Sequence, residues 1–409
     1  MSVASLDQAI GNEDPLEGMH LIDCDAHVTE PPDLWSSRVP SSMTDAIPVM
    51  KTVDGKTAWY MDGQIWASIG GNAIGLGRQK RRGVHMLQPF SEVDEAAWDV
   101  NARLGLMDEA GIYAAILYPN AVGFSSNHIF AIEDLEHRKL ILQTYNDYLM
   151  DVQSDSGERL LTQPLLPVWD MDATVLEMQR LIDRGARGFV ISDKPSLLGL
   201  PDLLNPYFEP LWDLANDSRS VISFHIGSGA ASEEIRSRAF SKTQVGNVWE
   251  SFGPQRSMAV NGSQMSMSNV RVIANLCMSN LFDRFDQLKI VSTESGIGWI
   301  PFVLECLEYN LDEFVTDPTE RSLQQRRPTE YFRDHLYATF WFESVAPRKL
   351  IEDVGVNNVL VETDVPHPTC LYPNPRAHFA EVLGDLEPAV RRRVVQDNAA
   401  ELFRINLPG

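Results

Sequence analysis

Cysteine is scarce in this chain, and what there is does not pair. Cys24, Cys277, Cys306 and Cys370 lie far apart and form no CxxC unit. That excludes a zinc ribbon, a thioredoxin-type pair and a disulfide framework, and it predicts a reducing, cytoplasmic setting. No run approaches the roughly 18 apolar residues of a membrane helix. Residues 1–20 lack an apolar core and a small-residue cleavage site, so we expect an N-terminal extension and no secretory signal. Cations are also few: 34 Lys and Arg stand against 57 Asp and Glu, a net charge of −23 over 409 residues. Such a chain repels nucleic acid and anionic membranes, which leaves a small-molecule partner. There is no internal repeat and no low-complexity segment.

Two familiar motifs are absent as well. Ser295 lies in Glu294-Ser295-Gly296-Ile297-Gly298, one residue out of pattern for a nucleophile elbow. The glycine-rich stretch 70–77 neither follows a buried strand nor opens a helix, so it is no dinucleotide fingerprint.

What is present is a strand with two chemically different faces, Leu21-Ile22-Asp23-Cys24-Asp25-Ala26-His27. Side chains alternate along a strand, so Asp23, Asp25 and His27 share one face and the apolar residues the other. Burying that polar face against nothing is costly. Further strand-like runs follow at 114–118, 163–168, 188–192, 220–226, 289–293, 336–342 and 358–363, nearly all separated by helical segments. Strands alternating with helices imply a parallel sheet, and eight such units imply a closed (β/α)8 TIM-like barrel. A doubly wound open sheet is the alternative. We expect one domain over 21–409, with a cap insertion at about 31–90 and a long lid or interface loop after strand 5, at about 228–268. In the cap, Asp54-Gly55 and Asp62-Gly63 read as turns between strands.

Barrel enzymes carry their chemistry at the C-terminal ends of the strands. Three later strands each end on a candidate ligand just before a turn: His225, Glu294 and Asp364. With Asp25 and His27 they predict either a metal centre or a buried polar network at the barrel mouth.

The phrases Asp23-Cys24-Asp25-Ala26-His27-Val28-Thr29-Glu30-Pro31, Glu294-Ser295-Gly296-Ile297-Gly298-Trp299-Ile300-Pro301 and Glu362-Thr363-Asp364-Val365-Pro366-His367 resemble the amidohydrolase superfamily. The resemblance is to its family-2 branch, typified by aminocarboxymuconate-semialdehyde decarboxylase, and it spans 21 to about 405. It implies a divalent metal (Zn, Mn or Fe, one or two ions) held by Asp25, His27, His225 and Asp364. It also implies hydrolysis or decarboxylation of a small carboxylated or phenolic substrate, and a homodimer or an assembly with a related barrel subunit. Asp364 is then placed to take a proton from a metal-bound water.

One departure matters. The decarboxylases of the branch lead us to expect histidine after strand 6, where this chain has Glu294. A carboxylate there is either a bridging ligand or a group that orients His225. As a ligand, it makes a shell suited to harder metals and to two ions, so a dinuclear Fe or Fe/Mn oxygenase is the rival reading. His367 is either a ligand or acid–base group, or a structural residue. Arg78 and Arg81, in a basic run, either grip an acidic substrate or make a surface contact. Near strand ends, His128 is either a solvated loop histidine or a substrate contact, and Trp299 is either core packing or part of an apolar pocket wall.

Overall fold

The computed structural model describes residues 14–126, 128–229, 249 and 251–408. The chain opens with β1 (Leu21–His27), buried along its whole length. It then leaves the barrel to build the cap: β2 (Val49–Val53), β3 (Lys56–Met61), β4 (Gln64–Ser68), and the short β5 (Ile74–Gly75) and β6 (Gln79–Lys80). β2, β3 and β4 form an antiparallel sheet, and β5 pairs with β6. The two hairpins of the sheet turn at Asp54-Gly55 and Asp62-Gly63, where all four residues have φ between 50° and 75°. Successive positive φ values match the right-handed twist of the flanking strands, which is why Asp-Gly stands at both places.

The remaining strands are β7 (Ile112–Tyr118), β8 (Leu160–Thr162), β9 (Gly188–Val190), β10 (Val221–His225), β11 (Lys289–Thr293), β12 (Leu336–Phe340) and β13 (Val359–Val361). All neighbouring pairs among them and β1 are parallel, in the orders β1-β7-β8 and β9-β10-β11-β12-β13. Two single bridges join these arcs: Ala26 with Val365, and Leu165 with Val190. The ring therefore closes, as the (β/α)8 reading requires and the open-sheet alternative does not.

Helices follow the strands and cover the outside with apolar faces. Asp99 caps the helix Val100–Ala110, Asp134 caps Leu135–Asp155 and Asp170 caps Met171–Asp183, each accepting from a backbone N–H of the first turn. The core runs between these helices and the strands, with Trp212, Phe189, Phe224, Phe332 and Phe379 fully buried.

The third barrel strand sits earlier than the apolar run suggests. It is Leu160–Thr162 rather than 163–168. Pro164 and Pro167 lie in that run and cannot donate to a ladder, so the paired strand stops before them. Of the expected lid, residues 230–248 and 250 lie outside the described residues, as do residues 1–13 of the N-terminal extension. The described remainder of the lid includes the helix Pro254–Met265.

Candidate metal centre

Parallel strands end at one rim, and this rim collects the polar side chains. Asp25, His27, His225 and Asp364 are fully buried, and Glu294 is nearly so. His27 Nε2 lies 3.4 Å from Asp25 Oδ1 and 3.7 Å from Asp364 Oδ1. His225 Nε2 lies 3.4 Å from Asp25 Oδ2, 3.5 Å from Glu294 Oε2 and 3.2 Å from His27 Nε2. Three overlapping triads offer donor atoms within 4.8 Å of one another: Asp25, His27 and His225; His27, Asp364 and His367; and Asp25, Glu294 and Asp364.

The backbone is bent to make this meeting possible. Glu294, directly after β11, and Asp364, three residues past β13, each have a positive φ, 55° and 58°. Non-glycine residues rarely adopt that region, and such conformations cost of order 1–3 kcal/mol. Hydrogen bonds hold both in place: Glu294 N–H donates to Glu362 Oε2 and Thr339 Oγ1, and Asp364 N–H donates to the Asp25 carbonyl. After Glu294 the chain turns at Gly296, φ 69°, where a Cβ would meet the Glu343 carboxylate at 2.8 Å.

Electrostatics make the cluster a poor home for its own charges. Burial, then the neighbouring Asp364 carboxylate, pushes the Asp25 and Glu294 carboxyls well above the usual carboxylate range. Burial, then Asp25, does the same to Glu362. Burial lowers His225 to about 4, and burial together with His367 and His225 lowers His27. Asp25 Oδ1 and Oδ2 and Glu362 Oε1 are buried with no hydrogen-bond partner among the described residues. Buried unpartnered carboxylate oxygens facing imidazole nitrogens are what a divalent cation satisfies. The donor set therefore fits a metal.

Asp23 stands one pleat deeper and does other work. It accepts from Thr363 N–H at 2.7 Å and from the Thr363 hydroxyl, and burial raises its pKa to about 7. It ties β1 to the segment that delivers Asp364.

His367 comes together with the cluster. Its Nδ1 lies 2.9 Å from Asp364 Oδ1, and its ring stacks on His27 at 3.8 Å. Thr369 donates to the other oxygen, Asp364 Oδ2. Arg78 and Arg81 are engaged elsewhere. Arg78 pairs with Glu109, and Arg81 donates to Gln88 Oε1 and Glu92 Oε2. His128 is buried with Nδ1 2.7 Å from the Ala121 carbonyl and its ring edge-on to Trp66. The Trp299 indole donates to the Ser295 carbonyl, at the start of the helix Ile300–Phe314.

One neighbour has no sequence signal. Phe124 lies 4.2 Å from the His225 ring, 5.2 Å from His27 and 6.1 Å from His367, an apolar wall beside three imidazoles. It follows a strand with no motif around it, and one phenylalanine among 17 carries no mark in the sequence.

An amidohydrolase family model matches residues 22–405. A gamma-resorcylate decarboxylase from Rhizobium radiobacter is 25% identical over 289 residues, covering 68% of this chain and 80% of that protein. An amidohydrolase from Mycobacterium avium subsp. paratuberculosis K-10 shares the fold, with TM-score 0.69 and 19% identity over 94% of this chain and 98% of that one. A dihydroxybenzoic acid decarboxylase from Polaromonas sp. JS666, solved with manganese and the inhibitor 2-nitroresorcinol, shares it at TM-score 0.60 and 17% identity over 95% and 98%. From the family match along nearly its whole length, the chain belongs to the amidohydrolase family of enzymes.

Proposed function

We propose that this enzyme is a divalent-metal-dependent carboxy-lyase acting on a small phenolic acid. The observation that carries the reading is the Asp364–His367 pair set at the edge of a buried donor cluster. The two decarboxylase relatives described above, one solved with manganese, support it.

Asp25, His27, His225 and Asp364 would hold the ion, with Glu294 beside His225. When bound, such an ion supplies Lewis-acid chemistry, drawing electron density from substrate oxygens and acidifying water. The chain's own residues then orient and protonate. Phe124 offers the apolar face on which an aromatic ring lies beside the imidazoles and excludes water from it. Loss of CO2 breaks the ring–carboxylate bond and leaves the electron pair on the ring carbon, which must take a proton. Asp364 and His367, 2.9 Å apart, hold that proton at the right edge of the cluster. In the related hydrolytic reading, Asp364 takes a proton from water instead.

A second reading rests on Glu294. Asp25, Glu294 and Asp364 form an all-carboxylate triad that suits a second, harder ion, and with it oxygenase chemistry. The same reading of the chain includes a cytoplasmic setting, with all four cysteines free, and a homodimer, which light scattering tests.

The deciding experiment strips metal with chelator, restores manganese, and follows CO2 release and O2 uptake across dihydroxybenzoates and carboxyvanillate. CO2 release that needs the metal supports the carboxy-lyase. O2 uptake with two ions per chain supports the oxygenase. Neither gas change, with metal bound, overturns both readings.

A further inference from the structure

Arg103 is a buried cation that no part of this chemistry uses. It sits in the first turn of the helix Val100–Ala110 with 3% exposure. No carboxylate lies within 4 Å of it among the described residues, although Asp23 is its strongest electrostatic neighbour. Its guanidinium instead donates to three backbone carbonyls. Nε bonds Ala96 at 2.6 Å, one terminal nitrogen bonds His27 at 2.6 Å, and the other reaches Val365 at 3.4 Å.

Those carbonyls belong to three different segments, and two of them carry ligands. His27 is itself a donor residue, and Val365 follows Asp364 directly. The Val365 carbonyl also accepts from His27 N–H at 2.8 Å, so guanidinium and strand share one acceptor. The fork thus spans the bridge by which the first strand meets the segment that follows β13, Ala26 with Val365. Stability alone is a weak reason to bury an arginine here, because an apolar side chain of similar volume avoids the desolvation penalty. A rigid planar fork with several donors is suited to fixing carbonyls relative to one another.

We propose that Arg103 is a positioning residue for the metal centre, setting the spacing between the Asp25–His27 arm and the Asp364–His367 arm through their backbone. This rests on the metal reading above and adds to it a residue that touches neither ion nor substrate. Groups that orient ligands from behind typically carry about 10–100-fold in metal affinity.

The test compares Arg103→Met and Arg103→Lys with the unaltered protein in manganese titrations and in the manganese electron-spin resonance spectrum. Thermal unfolding is recorded alongside. We expect Arg103→Met to bind manganese at least tenfold more weakly, with a changed spectrum, and Arg103→Lys to recover part of the loss. Unaltered affinity and spectrum in a folded Arg103→Met protein overturn the proposal. If Arg103→Met does not fold, Arg103→Lys decides: a lysine cannot span three carbonyls, so full affinity there overturns the proposal too. Because the readout is metal binding, it stands apart from the carboxy-lyase assignment. A protein whose manganese affinity depends on Arg103 yet which releases no CO2 refutes the reaction and keeps this inference. Manganese bound equally well after Asp25→Ala refutes the metal site itself.

Discussion

The barrel has two seams, and they are built from different materials. At one, Ala26 meets Val365; at the other, Leu165 meets Val190. Each is a single bridge that needs help from side chains. At the second seam an amide stands between charge and backbone: Asn146 receives Leu165 N–H at 3.0 Å, donates to the Leu165 carbonyl at 2.9 Å, and donates in turn to the buried Glu177 carboxylate, itself paired with Arg180. At the first seam the help is charged, from Asp23 on Thr363 and Arg103 on His27 and Val365. Ionisable side chains thus bond the backbone directly at the first seam, where the candidate ligands emerge, and act through an amide at the second. If Arg103 positions the metal centre as proposed, the difference teaches that direct contact with charge is reserved for the seam that carries the candidate ligands.

That contrast is open to attack by mutation. The largest effect belongs to the ligands: Asp25→Ala or His225→Ala should lose manganese on gel filtration, with affinity down by more than the roughly 100-fold carried by groups behind ligands. Metal content per chain checks it. Glu294→Gln should keep one ion and lose about 10–100-fold in activity if it orients His225. A fall from two ions to one would instead make it a ligand. Phe124→Ala should retain metal and raise KM several-fold, as steady-state kinetics at saturating manganese would reveal. Asn146→Ala should cost about 1–3 kcal/mol in denaturant unfolding, since it strands a buried N–H and carbonyl, yet leave manganese affinity unchanged. If metal affinity falls there as well, the contrast between the seams collapses. Arg78→Ala should do least: a half-exposed ion pair with Glu109 contributes about 0–1 kcal/mol, and KM should not move.

Much of this was legible from residue order because strands alternate. Two carboxylates and a histidine at every second position of β1, and single donors closing β10, β11 and the segment after β13, point to one rim whatever the details of packing. Proline marked what alternation missed, since the third strand ends where Pro164 removes a donor. The basic run was harder to read. Arg78 and Arg81 look like a grip for an acidic ligand, and only the fold shows Glu109, Gln88 and Glu92 already beside them. Phe124 and Arg103 left no trace at all. Their partners are ring faces and backbone carbonyls from distant segments, and neither kind of partner has a spelling in the sequence.

The cap has a consequence of its own. Its short hairpin rests on the loop that carries His367: Ala73 N–H donates to the Pro366 carbonyl, Lys80 Nζ to the Cys370 carbonyl, and the Tyr372 hydroxyl to the Arg78 carbonyl. Gly71 lies so close to Pro368 that a Cβ would stand 2.8 Å from its ring. The cap hairpin and the loop that carries His367 are thus a single mechanical unit. A chimera that borrows a relative's cap without the matching loop inherits a displaced histidine. Cap and loop are then exchangeable between relatives only as a cassette of both pieces.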